Sequence, residues 1–248
     1  MTSELKEEGI EKFYKHTQIL LEKKRKEVVN KCNLCWYTHD RCVCSLLKPL
    51  TFQLDVEFIV FLHISEFGNS GDASKILNCA APSRTKFYIY GNKADELHLQ
   101  QYFIEKTQNN ILLFPSEEAY TVDQVLTAQR NEEIPNNLQN LTFANDIPLT
   151  IIVINGTWRL VRPMLHQFTK LTDGKIPHIR LHPESLDYWQ SLGGVSAYGR
   201  TQSQPDRICT VEAIALLLKE LGENQNTCEE LLSYVPLNNL PWKKEIVK

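Results

Sequence analysis

Four cysteines fall within a few residues of one another, in the pattern Cys32-x2-Cys35-x6-Cys42-x-Cys44. Two close pairs joined by a short loop are the sequence form of a tetrahedral metal site, in which four soft donors converge on one ion. The pattern predicts a structural zinc knuckle held by Cys32, Cys35, Cys42 and Cys44, with His39 as a possible replacement for one thiolate. Four protein donors leave no open coordination position, so such a zinc would build structure and not catalyse. Cys79, Cys209 and Cys228 are scattered and read as small core residues.

A second group of chemically able residues follows an unbroken apolar run. Ile151-Ile152-Val153-Ile154 leads into Asn155-Gly156-Thr157-Trp158-Arg159. Gly156 permits a tight turn or a close backbone approach. Asn155 and Thr157 can hydrogen-bond a ligand, and Trp158 offers a stacking face for a base. The same residues also suit a capped helix start with a core tryptophan. His63-Ile-Ser-Glu66 follows an earlier apolar run and offers proton-transfer groups. Further on, Ser196 to Pro205 form a loop rich in Gly and Gln, with Gly199, that leads to Thr210-Val-Glu212-Ala213. A helix starting there presents free N–H groups to a carboxylate or phosphate, with Thr210 as N-cap and Glu212 favourable to the dipole.

These groups need elements to hold them. Residues 3–30 read as a solvated helix of alternating Glu and Lys. Beyond Pro49 the pattern alternates. Strands are expected at 54–62, 85–90, 110–114, 149–154 and 177–182. Helices are expected at 73–81, 93–106, 121–130, 159–170 and 210–221. Pro163 should kink or delay the fourth of these helices, and Gly222 should end the last as its C′ residue. Residues 131–146, polar and rich in Asn, read as a surface loop. Strand–helix alternation predicts an α/β fold, a mostly parallel sheet flanked by helices, with ligands beyond the carboxyl ends of the strands. The expected organisation is a leading helix at 1–31, the knuckle at 32–49, a catalytic domain at 50–235 and a tail at 236–248.

Composition sets outer limits. The 248 residues are 42% hydrophobic and 23% charged, ordinary for a folded domain. A net charge of −3 excludes a global basic field, so nucleic-acid binding would need a local patch. Residues 155–207 are net positive and contain Arg159, Arg162, Arg200 and Arg207, whereas 93–148 are acidic. No apolar run approaches the roughly 20 residues needed to span a bilayer. With no apolar leader either, a soluble cytoplasmic or nuclear protein is expected.

Taken in order, the motifs resemble the DTW-domain family of the SPOUT-like superfamily, over about residues 32–222. The paired cysteines match its N-terminal cluster, and His63 and Glu66 match its His-x-x-Glu. Leu113-Phe114-Pro115, followed by Glu117 and Glu118, matches its Leu-[Phe/Tyr]-Pro segment. Asn155-Gly156-Thr157-Trp158 aligns with its Asp-x-Thr-Trp motif, and Arg200 to Ala213 with its basic loop and following helix.

The resemblance implies a SPOUT-like fold with a C-terminal trefoil knot. It also implies transfer of the 3-amino-3-carboxypropyl arm of S-adenosylmethionine to N3 of a uridine in tRNA. By the same resemblance Asn155, Thr157, Trp158, Glu66 and His63 are the catalytic set. Gly156, Gly199, Thr210 and Glu212 would bind the S-adenosylmethionine, and the four arginines would bind RNA. One departure stands out: the family's Asp is Asn155 here. An amide does not ionise near neutrality and cannot be a general base. Glu66, His63, Asp206 and Glu212 are the substitutes the sequence offers. Two alternatives stay open, a non-catalytic RNA-binding paralogue and a methyl transfer to RNA.

Overall fold

The computed structural model describes residues 3–143, 147–193 and 208–237. Its centre is a five-stranded sheet in which every pairing is parallel, in the order β2-β1-β4-β3-β5. The strands are β1 (Val56–Leu62), β2 (Thr85–Ile89), β3 (Asn110–Leu113), β4 (Leu149–Asn155) and β5 (His178–Ile179). β1 and β4 lie side by side at the centre, in register from Val56↔Leu149 to Leu62↔Asn155. Their apolar runs, residues 58–62 and 151–154, are what burial on both faces requires.

Eight helices cover the sheet among the described residues: α1 (Ser3–Val28), α2 (Lys75–Ala80), α3 (Lys93–Glu105), α4 (Val122–Arg130), α5 (Trp158–Leu171), α6 (Pro183–Ser191), α7 (Thr210–Glu220) and α8 (Gln225–Leu237). The two-residue period of β1 divides its side chains between the faces. Phe58, Val60 and Leu62 pack with Ile76 and Leu77 of α2, Ile214 and Leu217 of α7, and Leu231 of α8. Ile59 and Phe61 pack with Leu99 and Phe103 of α3 and Met164 and Phe168 of α5. The cysteine segment joins the first face through Trp36, Tyr37, Val43 and Leu47, so the knuckle shares the domain's own core.

α1 is not simply solvated. Leu21 is buried, and the Tyr14 hydroxyl donates 2.7 Å to Glu96 of α3. Glu96 is itself buried and also accepts from Gly91 N and Gln167 Nε2, 2.7 Å each. α5 starts at Trp158 and runs through Pro163 without interruption. The expected strand at 177–182 shrinks to two residues, because Pro177 lacks an N–H and His182 turns to cap α6, accepting from Glu184 N with Pro183 in the first turn. α7 ends as anticipated: Gly222 has φ +88°, and Gly222 N and Glu223 N donate to Lys219 O and Leu218 O, closing a Schellman turn. The trefoil knot depends on the path of residues 194–207, which lie outside the described residues, as do 238–248 of the expected tail.

Strand order locates the ligand crevice. From β1 the chain crosses by α2, on one face, to β2; from β4 it crosses by α5, on the other face, to β5. Adjacent strands whose connections leave in opposite directions open a crevice at their carboxyl ends. That crevice lies beyond Leu62 and Asn155.

Candidate active site and metal centre

At the carboxyl ends of β1 and β4, His63 N donates 2.9 Å to Asn155 O, extending the ladder by one bond. The side chain of Asn155 then ties three elements together. Its Nδ2 donates to Asp72 Oδ1 and to Ser74 Oγ, 2.9 Å each, and its Oδ1 accepts from Thr210 Oγ1 at 3.2 Å. Both amide hydrogens are therefore spent on protein acceptors, which fixes the amide against a flip. Asp72 is buried, and it accepts from Ser74 N at 3.0 Å and Ser74 Oγ at 2.6 Å besides. Burial raises its carboxyl above the usual aspartate value, opposed by hydrogen bonds from Ser74 and Asn155.

Gly156 follows without a positive φ; its constraint is space. A Cβ there would lie 3.2 Å from Met164 Sδ and 3.3 Å from the His63 Cβ. The chain passes between β1 and α5 with no room to spare. Thr157 then takes the N-cap position of α5, and Trp158, 46% exposed, presents its indole at the first turn. Arg159 and Arg162 are exposed on the flank of α5 opposite Val161, Met164 and Phe168.

His63 and Glu66 form a local network. His63 Nδ1 accepts from Ser65 N at 3.1 Å, so the neutral ring carries its proton on Nε2. Burial lowers its pKa below the ordinary histidine value, against the pull of Glu66. Glu66 accepts from Ser65 Oγ at 3.3 Å and Asn69 Nδ2 at 3.2 Å.

The start of α7 differs from the expectation in one respect. Cys209, not Thr210, is the N-cap, and Thr210 sits one residue inside, where its hydroxyl is free to reach Asn155. Glu212 closes the cap by accepting from Cys209 N at 2.8 Å, and its other oxygen, Oε1, is buried with no hydrogen-bond partner among the described residues. The loop after β5 lies at the opposite end of α7, where His182 N donates 2.8 Å to Glu220. Thus His63, Glu66, Asn155, Gly156 and Thr210 meet at one strand end, with Thr157 and Trp158 leading away and Glu212 a half-turn into α7. Gly199, Arg200, Asp206 and Arg207 lie outside the described residues.

The cysteine sulfurs converge as their spacing predicts. The ligand atoms of Cys32, Cys35, Cys42 and Cys44 all lie within 4.8 Å of one another, with Cys32–Cys44 at 3.5 Å and Cys35–Cys42 at 3.7 Å. Sulfurs about 2.3 Å from a tetrahedral zinc stand roughly 3.8 Å apart, so the donor set fits that ion. Burial opposes ionisation of Cys32, but hydrogen bonds from the backbone N–H groups of Cys35 and Leu34 and from the Cys44 and Cys42 side chains together outweigh it and bring its thiol down to about 7. His39 is exposed and outside this group.

Two neighbours escaped the sequence. Cys79 of α2, read as a core residue, places its sulfur 3.8 Å from Cys44. Lys75 is fully buried, its ammonium 3.9 Å from the Tyr37 ring centroid and donating to Ser70 O. It joins the knuckle to the turn that carries Asp72. Neither residue belongs to a recognisable spacing; only the fold brings α2 against the knuckle.

A family model described as DTW domain matches residues 29–237. No curated protein and no solved structure matches the chain.

Proposed function

Because the chain belongs to the DTW-domain family, the family of the tRNA-uridine aminocarboxypropyltransferases, we propose that it transfers the 3-amino-3-carboxypropyl group of S-adenosylmethionine to N3 of a uridine in tRNA. The observation that carries this reading is the meeting of the Asn155–Trp158 segment with His63, Glu66 and Thr210 at the switch point of a parallel sheet. In the reaction the uridine N3 attacks the methionine γ-carbon. The S–Cγ bond breaks and its electron pair stays on sulfur, so methylthioadenosine leaves. The N3 proton passes to a base.

The chain's own residues divide that work. Asn155 is not the base, since its amide is neutral and committed to Asp72, Ser74 and Thr210. Neutral His63 holds its free proton on Nε2 and is a donor there. Glu212 sits buried within the cap of α7. Glu66, with its carboxylate at the crevice, takes the proton in this scheme, and alignment of N3 with the sulfonium supplies most of the acceleration. Gly156 allows the backbone to approach the ligand, Trp158 stacks on a base, and Arg159 and Arg162 hold phosphate. Gly199, Arg200 and Arg207 lie outside the described residues and keep the cofactor and RNA roles that the family motif implies. Zinc, held by the four cysteines, keeps the knuckle folded and takes no part in the chemistry.

The test is mass spectrometry of tRNA nucleosides after incubation with the protein and S-adenosylmethionine. Aminocarboxypropyl-uridine together with methylthioadenosine is the expected result. S-adenosylhomocysteine in place of methylthioadenosine would mean methyl transfer, and binding of both substrates with no product would mean a non-catalytic paralogue.

A further inference from the structure

Position 155 is an amide where the family motif has an acid, yet the strand end has not lost its negative charge. Asp72 lies one hydrogen bond away, 2.9 Å from Asn155 Nδ2, in the turn before α2. It is 3% exposed and collects three donors, Asn155 Nδ2 and Ser74 N on one oxygen and Ser74 Oγ on the other. We propose that Asp72 is a positioning residue of this site: it holds, across the Asn155 hydrogen bond, the buried carboxylate that the family motif places on the strand itself. The proposal rests on the reading of the site given above and adds the residue that organises it.

The physics follows from counting charges. The pair at positions 72 and 155 holds one carboxylate and one amide. The carboxylate fixes which way the amide points, because a flip would set Asn155 Oδ1 against the oxygens of Asp72. Held this way, Oδ1 faces Thr210 and seats the first turn of α7 against β4. S-adenosylmethionine carries a sulfonium and an ammonium, and an anion in a low-dielectric strand end favours both cations without touching either. Two carboxylates at hydrogen-bond distance could not both ionise, and two amides would leave no charge at all. Exchanging the two residues keeps one carboxylate and one amide across the contact, although the Ser74 N–H, which shares its Asp72 oxygen with Asn155 Nδ2, then loses that acceptor.

The test compares full-length, zinc-loaded wild type with Asp72→Asn, Asn155→Asp and the exchange Asp72→Asn/Asn155→Asp. Melting temperature, S-adenosylmethionine affinity by calorimetry and transfer to tRNA are each measured as a function of pH. Asp72→Asn, which removes the buried charge, should bind S-adenosylmethionine about tenfold more weakly or worse; Asn155→Asp should also weaken binding, because the two carboxyls must share a proton and the amide's bonds to Asp72 and Ser74 are lost, while the exchange recovers part of the loss. The charged groups around the pair are Glu66 and Lys75, His63 across the strand end, and Glu212, buried in the α7 turn that Thr210 seats on Asn155; none is altered in any variant. Wild type should therefore lose affinity as falling pH protonates Asp72, the Asp72→Asn variant should lack that limb, and the exchange should regain it. A purely structural role would move melting temperature but not this pH limb.

Asp72→Asn binding as tightly as wild type, or an exchange no better than the weaker single variant, overturns the proposal. So does an exchange that fails to fold. Affinities that follow the cycle in a protein that modifies no tRNA would leave the pair standing and sink the transfer reading instead. Normal transfer with an unimpaired Asp72→Asn variant would do the opposite.

Discussion

If the four cysteines hold zinc, as proposed, removing it should unfold more than the knuckle. Residues 32–47 contain little regular structure beyond short 3-10 turns at His39–Arg41 and Cys44–Leu46. Apart from the metal-ligand candidate Cys35, their buried contribution to the core is Trp36, Tyr37, Val43 and Leu47, each at most 6% exposed. At about 1.5–3 kcal/mol each, burial contributes roughly 9 kcal/mol. Ordering this segment of about sixteen residues costs about 1.5 kcal/mol each, or roughly 24 kcal/mol. Burial alone cannot hold the segment. A structural zinc contributes about 10–16 kcal/mol, which closes the gap to within a few kcal/mol. Chelation, or Cys35→Ser at the fully buried ligand, should therefore release the whole segment. Lys75 should lose its Tyr37 contact, and Lys31 its 2.8 Å bond to Gly68 O. Hydrogen exchange would read this as lost protection across 32–47 and, more weakly, across 68–75. Metal-free protein with unchanged protection in both stretches and an unchanged melting temperature would refute the reasoning.

Three further outcomes follow from the site. The Arg159→Gln/Arg162→Gln variant should bind tRNA more weakly, with a salt dependence shallower by about 0.7–0.9 per lost phosphate contact; filter binding from low to moderate salt checks both, and an unchanged slope removes these residues from the interface. Gly156→Ala should cost roughly 1–3 kcal/mol, because the new methyl meets Met164 and His63 inside ordinary contact distance; denaturant melts measure it, and with Met164→Ala the double variant should lose less than the sum of the two single losses. Asp72 has a folded pKa raised above 3.8 by burial, so the native state holds its proton more tightly than the unfolded chain. Its contribution to stability is then greatest below about pH 4 and declines as pH rises through the folded value; wild type minus Asp72→Asn should show that slope in melts across acid pH.

Much of this was legible in the residues because the signals were local. β1 and β4 announce themselves as apolar runs with no polar face, and α7 carries both a helical apolar pattern and Gly222 at its end. The cysteine knuckle is a spacing rule, and its sulfurs meet as that rule requires. α6 and α8 were missed for different reasons. α6 has a start signal in His182-Pro183-Glu184, but its nine residues show little periodicity. α8, QNTCEELLSYVPL, hides its buried Cys228, Leu231, Leu232 and Val235 among polar residues and carries Pro236 in its last turn. The β5 misreading came from trusting composition over Pro177 and the His182 cap, which leave room for only two ladder residues. Among the described residues no helix is long and apolar enough to cross a membrane.

The departure at position 155 shows where sequence reasoning stops. As a letter, Asn in place of Asp reads as a lost acid, and the argument then turns on whether some other residue replaces a base. Asp72 stands 83 positions earlier, in a turn with no motif around it, and nothing in the intervening chain predicts the contact. The parallel sheet creates it: β1 and β4 end at the same level, so the segment after β1 folds back over the end of β4. Burial then decides the chemistry. A carboxylate with three hydrogen bonds and almost no solvent is a poor proton shuttle but a strong orienting group. The amide at 155 is accordingly one half of a two-residue device, and a change at either half should be judged by the total charge the pair retains.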